Sequence, residues 1–272
     1  MNPLADRPLK VDDTDVLIEG AGRESIVMIH GWPDTHRLWD RQVEALRADY
    51  RCVRFTLPGF DPGHAGRAYS LDELVEVVRR VVECACAGGP VTLLLHDWGC
   101  VFGYQFALRH PQLVKRIIGV DVGDAGSRRH VNEINLKAKA LIFGYQTWLA
   151  AAWRIGGRLG DWMARLMAGA AGFPGDRAAV SAQMGYPYYV LWAGARGGYR
   201  RAKSFTPACP MLFVYGRRKP FMFHSSAWAG EVAARPHSQV VAFETGHWVM
   251  VAAPEAFNRA VTAWLAASGA AQ

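Results

Sequence analysis

The sequence predicts an α/β protein built on a mostly parallel sheet flanked by helices, and three observations carry that expectation. Short, continuously apolar runs at 26–29, 91–95, 117–122 and 211–215 have the length and composition of strands buried on both faces, the mark of a parallel sheet. Amphipathic helical periods lie between them, so strands and helices alternate. The rhythm breaks once, where about 90 residues separate Asp121 from Met211; a crossover with its helix needs only a few tens.

The run 26–29 leads directly into His30-Gly31-Trp32-Pro33-Asp34. Ser70 and Glu73 form a capping box ahead of Leu71, Leu74, Val75, Val78 and Val82, which share one helical face. The run 91–95 continues to His96 and is followed at once by Asp97, Trp98 and Gly99, and Gly99 allows a tight turn into a helix that runs to about His110. Asp97 would then project from a strained strand-to-helix turn, with helix amides beside it. The plainer alternative is that Asp97 only caps the helix, a frequent role for aspartate.

The next strand ends near Asp121 and opens the long interval. That interval holds Trp148, Trp153, Trp162, Trp192, Tyr145, Tyr186, Tyr188, Tyr189 and Tyr199, too many large aromatic residues for a disordered loop. It reads as a mainly helical cap insertion at 123–205 in a core made of 1–122 and 206–272. Ligands bind at the carboxyl ends of strands in open parallel sheets, so the insertion should roof the site. Its most apolar stretch, 140–157, is interrupted by Gln146, Thr147 and Arg154 and reads as an amphipathic helix or helix pair, with no membrane contact expected. After the strand near Met211 come a strand at 240–243, Thr245-Gly246-His247-Trp248, and a last helix that opens at Pro254 and lines up Phe257, Val261, Trp264 and Leu265.

The 272 residues suit one large α/β domain or two small ones, and 51% hydrophobic with 20% charged residues is a globular composition. The net charge of +7 is uneven: residues 177–272 hold ten basic and three acidic side chains, and no Asp follows Asp176. The basic residues are dispersed, without aromatic interleaving or a binding motif, which argues against a nucleic-acid partner. Five scattered cysteines without a CxxC pair argue against a disulfide framework or structural zinc and suit a cytoplasmic enzyme. The first ten residues are too polar for a signal peptide. The nine His lack ligand spacing with Cys or carboxylates, and there is no dinucleotide fingerprint, so neither a metal nor a cofactor is expected. The oligomeric state stays open.

The Asp97 segment resembles the nucleophile elbow of the α/β-hydrolase fold in its aspartate form. His30-Gly31-Trp32-Pro33 resembles the His-Gly-X-Pro loop that supplies an oxyanion-hole amide in this family, and His247 stands where the family has its catalytic histidine. With these landmarks in order, each at a strand's carboxyl end, the resemblance covers roughly residues 15–268. Asp97 followed by Trp98 is similar to epoxide hydrolases and haloalkane dehalogenases. That resemblance implies an alkyl ester on Asp97, water activated by His247, and an oxyanion held by the backbone N–H groups of Trp32 and Trp98.

The chain departs from the family at the third triad member. Many relatives carry their acid in a Gly-X-X-Asp-Pro turn, whereas this chain reads Gly216-Arg217-Arg218-Lys219-Pro220, with Lys219 at the acid's place. Asp121, at the end of the strand beside the nucleophile strand, is the favoured replacement, and some dehalogenases keep their acid there. Asp124 and an incomplete triad are the alternatives. A small apolar epoxide is the favoured substrate, its oxygen protonated by cap tyrosines from among Tyr145, Tyr186, Tyr188, Tyr189 and Tyr199. The alternatives are halide expulsion, with Trp98 and one of Trp148, Trp153, Trp162 or Trp192 as N–H donors, and a catalytically decayed binding protein.

Overall fold

The computed structural model describes residues 8–61 and 66–269, so most of the polar N-terminal decapeptide lies outside the described residues. The strands are β1 (Leu9–Val11), β2 (Thr14–Glu19), β3 (Ser25–Ile29), β4 (Arg51–Phe55), β5 (Val91–His96), β6 (Val114–Val120), β7 (Met211–Gly216) and β8 (Gln239–Phe243). They form one sheet in the order β1-β2-β4-β3-β5-β6-β7-β8. β2 pairs antiparallel with β1 and β4, and every other neighbouring pair is parallel.

The α-helices are α1 (Asp40–Leu46), α2 (Leu71–Ala85), α3 (Trp98–Arg109), α4 (Arg128–Glu133), α5 (Leu136–Ile155), α6 (Gly157–Ala170), α7 (Tyr186–Ala193), α8 (Ser226–Ala233), α9 (Val249–Ala252) and α10 (Pro254–Gly269). The alternation of strand side chains sorts the core into two halves. Ile26, Met28, Leu94, Ile118, Leu212 and Val214 meet α1 and α10 on one face. Val27, Ile29, Leu93, Leu95, Ile117 and Phe213 meet α2, α3 and α8 on the other. β3 and β5 are buried along their whole length, as their unbroken apolar sequence requires. The capping box of α2 forms as expected: the Ser70 hydroxyl accepts from the Glu73 amide and the Glu73 carboxylate from the Ser70 amide.

Two strands depart from the sequence reading because their charges are buried and paired. β4 was not legible as a strand, since Arg51 and Arg54 interrupt it; Arg54 is folded against Glu19 and Asp40. β6 starts at Val114, ahead of the apolar run, and the buried Arg116 guanidinium donates to Glu24, the Leu265 carbonyl and Ser268.

The long interval between β6 and β7 folds as α4 to α7 with short 3-10 turns, and α6 and α7 both pack chiefly on α5. The apolar stretch 140–157 is the body of α5, ended by Gly156 at φ 65°. No helix of the described residues is long and apolar enough to cross a membrane. α7 lies over the loops after β3 and β5, where the Tyr188 ring meets the edges of Trp32 and Trp98.

The start of α3 passes so close to β3 that only glycine fits at position 99: an added Cβ would lie 2.2 Å from the Ile29 carbonyl oxygen and 2.6 Å from that of His30. Backbone atoms cannot move aside as a flexible side chain can. Gly99→Ala should therefore cost about 3 kcal/mol or more. In a thermal melt that is a fall in Tm of at least about 6 °C for a chain of this size; a fall under about 2 °C would mean that α3 can be displaced at little cost.

Candidate active site

Asp97 joins β5 to α3 with φ 53° and ψ −123°, a backbone conformation that L residues rarely adopt. It occupies the N-cap position of α3 but makes no capping hydrogen bond, so the helix-cap alternative does not describe it. Its Oδ1 instead accepts from the Trp32 amide at 2.7 Å. Gly31 makes this approach possible, because a Cβ there would lie 2.3 Å from Asp97 Oδ1 and 2.4 Å from the Trp98 nitrogen. The Trp32–Pro33 peptide is cis. Burial pushes the Asp97 carboxyl up, but bonding to and the charge of His247, with the Trp98 amide, more than offset this and hold it below the usual carboxylate range.

His247 lies between β8 and α9, with Nε2 3.6 Å from Asp97 Oδ2 and Nδ1 2.5 Å from Asp121 Oδ2. Asp121 follows β6 at φ 69°, its amide bonded to the Val214 carbonyl at 2.7 Å and its side chain fully buried. Its Oδ1 accepts from the Gly216 amide at 3.0 Å and the Lys219 ammonium at 2.5 Å. Burial pushes Asp121 up, and the charges of His247 and Lys219 bring it below the usual range. Burial alone would lower His247, yet Asp121 and then Asp97 raise it to about 9.

Asp124 is occupied elsewhere. Its Oδ1 accepts from the Ser225 amide, and its Oδ2 accepts from the Ser225 and Ser127 hydroxyls. The carboxylate brought to His247 is thus Asp121.

Three buried groups that the sequence gave little reason to single out support this arrangement. The His96 ring packs against that of His247 at a tilt, centroids 4.4 Å apart, and burial pushes it down to about 3, so it adds no charge. His30 accepts the Leu57 amide proton at Nε2, leaving Nδ1 to donate to the Gly31 carbonyl; burial lowers it to about 4. Asp34, raised by burial to about 7, accepts from the Trp248 indole at 2.9 Å. All three lie in segments that the sequence marks, His30 and Asp34 in the His-Gly-Trp-Pro-Asp run and His96 just before Asp97, but nothing in those segments shows their contacts.

The roof is aromatic. Tyr188 of α7 packs edge-on against Trp32, Trp98 and Tyr145 of α5, with centroids 6.0, 5.2 and 5.9 Å away. Burial raises both hydroxyls, and the Asp97 charge raises them further. The Tyr145 oxygen accepts from Gln146 Nε2 at 3.1 Å, and Gln146 Oε1 accepts from the Trp192 indole at 3.1 Å.

Two of the other three tyrosines among the expected proton donors are placed differently. Tyr186 packs on Phe60 and Tyr69, and Tyr189 stacks on Trp153; neither meets Asp97, because each lies on another side of α7 from Tyr188. The Tyr199 ring leans on Trp98, with its hydroxyl buried and unpartnered among the described residues. Of the tryptophans considered as halide donors, Trp148 bonds the Met163 carbonyl, Trp192 bonds Gln146 and Trp162 is exposed.

Beside the site, a cleft of about 590 Å³ opens between the loop from Pro33 to Gln42 and inserted residues such as Phe173, Val180 and Met184. Asp34 belongs to both, but Asp97 and His247 do not line the cleft. Among the described residues no group of three or more His, Cys, Asp or Glu side chains converges as a metal site.

The sequence matches the model of the Alpha/beta hydrolase family over residues 26–260. It is 32% identical over 108 residues to epoxide hydrolase 1 of Caenorhabditis elegans, an aligned stretch that covers 38% of this chain and 26% of that one. The chain thus spans about a quarter of that curated relative. The fold is similar to the crystal structure of an epoxide hydrolase of Bacillus megaterium in complex with an inhibitor, with a TM-score of 0.72, 20% identity, and 95% of this chain and 99% of that chain covered. It is also similar to a loop variant of the haloalkane dehalogenase DbeA from Bradyrhizobium elkanii, with a TM-score of 0.68, 18% identity and 97% of each chain covered. At these identities the two structures speak for the fold alone.

The contacts of His247 fix the sign of its pH dependence. Its pKa is raised from 6.5 to about 9, so its ion pairs contribute stability that is fully present below about pH 6.5 and is lost as pH rises through about 9. In a nuclear magnetic resonance titration, Asp121→Asn should lower the His247 midpoint by more than about one unit, while Asp124→Asn leaves it in place. The opposite pattern would make Asp124 the partner.

Proposed function

The chain belongs to the alpha/beta hydrolase family, and on that premise we propose that it is a cofactor-independent hydrolase that opens a small, mostly apolar epoxide to a diol through an alkyl ester on Asp97. The observation that carries this reading is the placement of Tyr188 against Trp32 and Trp98 beside Asp97, with Tyr145 packed on Tyr188. The Tyr145 oxygen already accepts from Gln146 Nε2, leaving its phenolic proton free to donate, and the Tyr188 ring lies edge-on to Trp32 and Trp98, the residues that flank Asp97 in the site. An epoxide oxygen needs such a donor as its C–O bond breaks.

In the first step Asp97 Oδ2, the oxygen not held by the Trp32 amide, attacks an epoxide carbon. The C–O bond breaks, and the leaving oxygen takes a proton from Tyr188 or Tyr145. In the second step water attacks the ester carbon of Asp97 while His247 takes its proton and Asp121 holds the imidazolium. The oxyanion forms on Oδ1, beside the amides of Trp32 and Trp98. Collapse of this intermediate breaks the bond to Oδ2, which leaves in the diol with the proton from His247; Asp97 keeps the oxygen of water, and the remaining proton of that water makes good the one the tyrosine gave to the epoxide oxygen. The insertion 123–205 acts as the cap domain that carries both tyrosines.

Halide expulsion through the same ester is the second reading. The observation in its favour is the Trp32 indole N–H, buried and without a partner among the described residues. Such an ion requires two donors, and with Trp148 and Trp192 already bonded and Trp162 exposed, the second would have to be Trp98. The decayed-protein alternative rested on Lys219, and the contacts made by Asp121 weaken it.

His247→Gln incubated with styrene oxide should accumulate an adduct of the epoxide's mass on Asp97 by intact-protein mass spectrometry, and the native chain should release the diol. Tyr188→Phe should slow formation of that ester about 100-fold. Halide release from 1-bromobutane without diol formation from any epoxide tested would move the assignment to the dehalogenase reading. Neither product and no adduct would sink both.

A further inference from the structure

Arg217, Arg218 and Lys219 are consecutive, yet they are used in different ways. The two arginines are exposed and reach Glu244 at 3.5 and 3.6 Å. The Lys219 side chain is only 7% exposed and turns inward, its ammonium 2.5 Å from Asp121 Oδ1 and 2.6 Å from the Gly216 carbonyl. Asp121 is therefore shared between two cations, Lys219 on one oxygen and His247 on the other.

We propose that Lys219 is a positioning residue whose ammonium balances the charge of Asp121, so that once Asp97 becomes an ester His247 gives its proton to the tyrosinate left by epoxide opening and is then ready to activate water. This rests on the reading of Asp97 as the ester-forming residue. In the free protein the four groups are Asp97 and Asp121, both anionic, and His247 and Lys219, both cationic, a cluster of zero net charge. Esterification removes the charge of Asp97. With Lys219 still paired to Asp121, the cluster is neutral again only if His247 is neutral, which is the form a base needs. Without Lys219, Asp121 would instead retain the imidazolium, and the ester would persist.

The other groups around this cluster are accounted for. His96 against His247 and His224 near Lys219 are both pushed toward the neutral form by burial. Asp34 approaches from the loop after β3 and bonds the Trp248 indole. Phe223 faces His247, and the Tyr215 ring lies 5.8 Å from the Lys219 ammonium. Among these described neighbours no other cation contacts Asp121. Burial lowers Lys219 and Asp121 opposes this, which suits an ammonium whose charge depends on its partner.

The test needs no substrate. Asp97→Asn reproduces the neutral charge of the ester, and Asp97→Ala repeats the comparison without an amide that the site could hydrolyse. The imidazole resonances of His247 are titrated in each background with Lys219 retained, and again with Lys219→Met or Lys219→Gln; the glutamine keeps a hydrogen-bond donor should the methionine form not fold. With Lys219 present, His247 should be mostly neutral at pH 7. Without the ammonium its midpoint should rise by at least about one unit, tenfold in the protonation ratio, and Lys219→Arg should restore the lower value. Equal midpoints with and without Lys219, or a His247 still protonated at pH 8 beside neutral residue 97, would overturn the proposal. Because no turnover is measured, failure here leaves the epoxide reading standing, and failure to turn over epoxides leaves this result interpretable.

Discussion

Asp97 is held at positive φ between a buried strand and the first turn of a helix, and the geometry of the site follows from that constraint. Such a conformation costs of order 1–3 kcal/mol and persists only where surrounding contacts fix it. Here they do so from both sides. Gly99 lets α3 press against the carbonyls of β3, and Gly31 lets the next loop reach the Asp97 side chain. The Trp32 amide then meets one carboxylate oxygen and leaves the other turned toward His247. If the elbow relaxed, amide, carboxylate and imidazole would lose their alignment together, since each is positioned through the same turn.

Around the elbow the protein buries charges that would be costly singly. Isolated ions in an apolar interior carry penalties of several kcal/mol, and they are retained when paired and hydrogen-bonded on every side. The Asp97–His247–Asp121–Lys219 chain alternates in sign, and each carboxylate oxygen of Asp121 has its own cation. The two histidines beside it, His30 and His96, are kept neutral by burial and serve as packing and hydrogen-bonding groups. Burial that would depress His247 is outweighed by the carboxylates on either side of its ring.

Much of the fold was legible because local chemistry determines it. Apolar runs specified β3, β5 and β7, and a Ser-X-X-Glu capping box specified the start of α2. Where the reading fell short, burial had been combined with charge. β4 and the start of β6 carry arginines that look like surface residues until Glu19, Asp40 and Glu24 are seen to pair with them. The same holds for Lys219. Its place in the chain suggested a missing acid, whereas its side chain pairs with Asp121, the carboxylate in contact with His247 Nδ1.

By itself the sequence determined the alternation of strands and helices, the strained Asp97 turn, the His-Gly-Trp-Pro loop and the shortage of acids near His247, because each is written in residues a few positions apart. Only the tertiary structure decided that Asp121 and not Asp124 meets His247, a contact across 126 residues of chain. It also decided that Tyr188 meets Trp32 and Trp98, with Tyr145 against it, while Tyr186 and Tyr189 pack elsewhere. Helical periodicity fixes the angles between side chains on one helix. Which of its faces meets the sheet is set by packing among α5, α6 and α7, whose contacts join residues far apart in sequence.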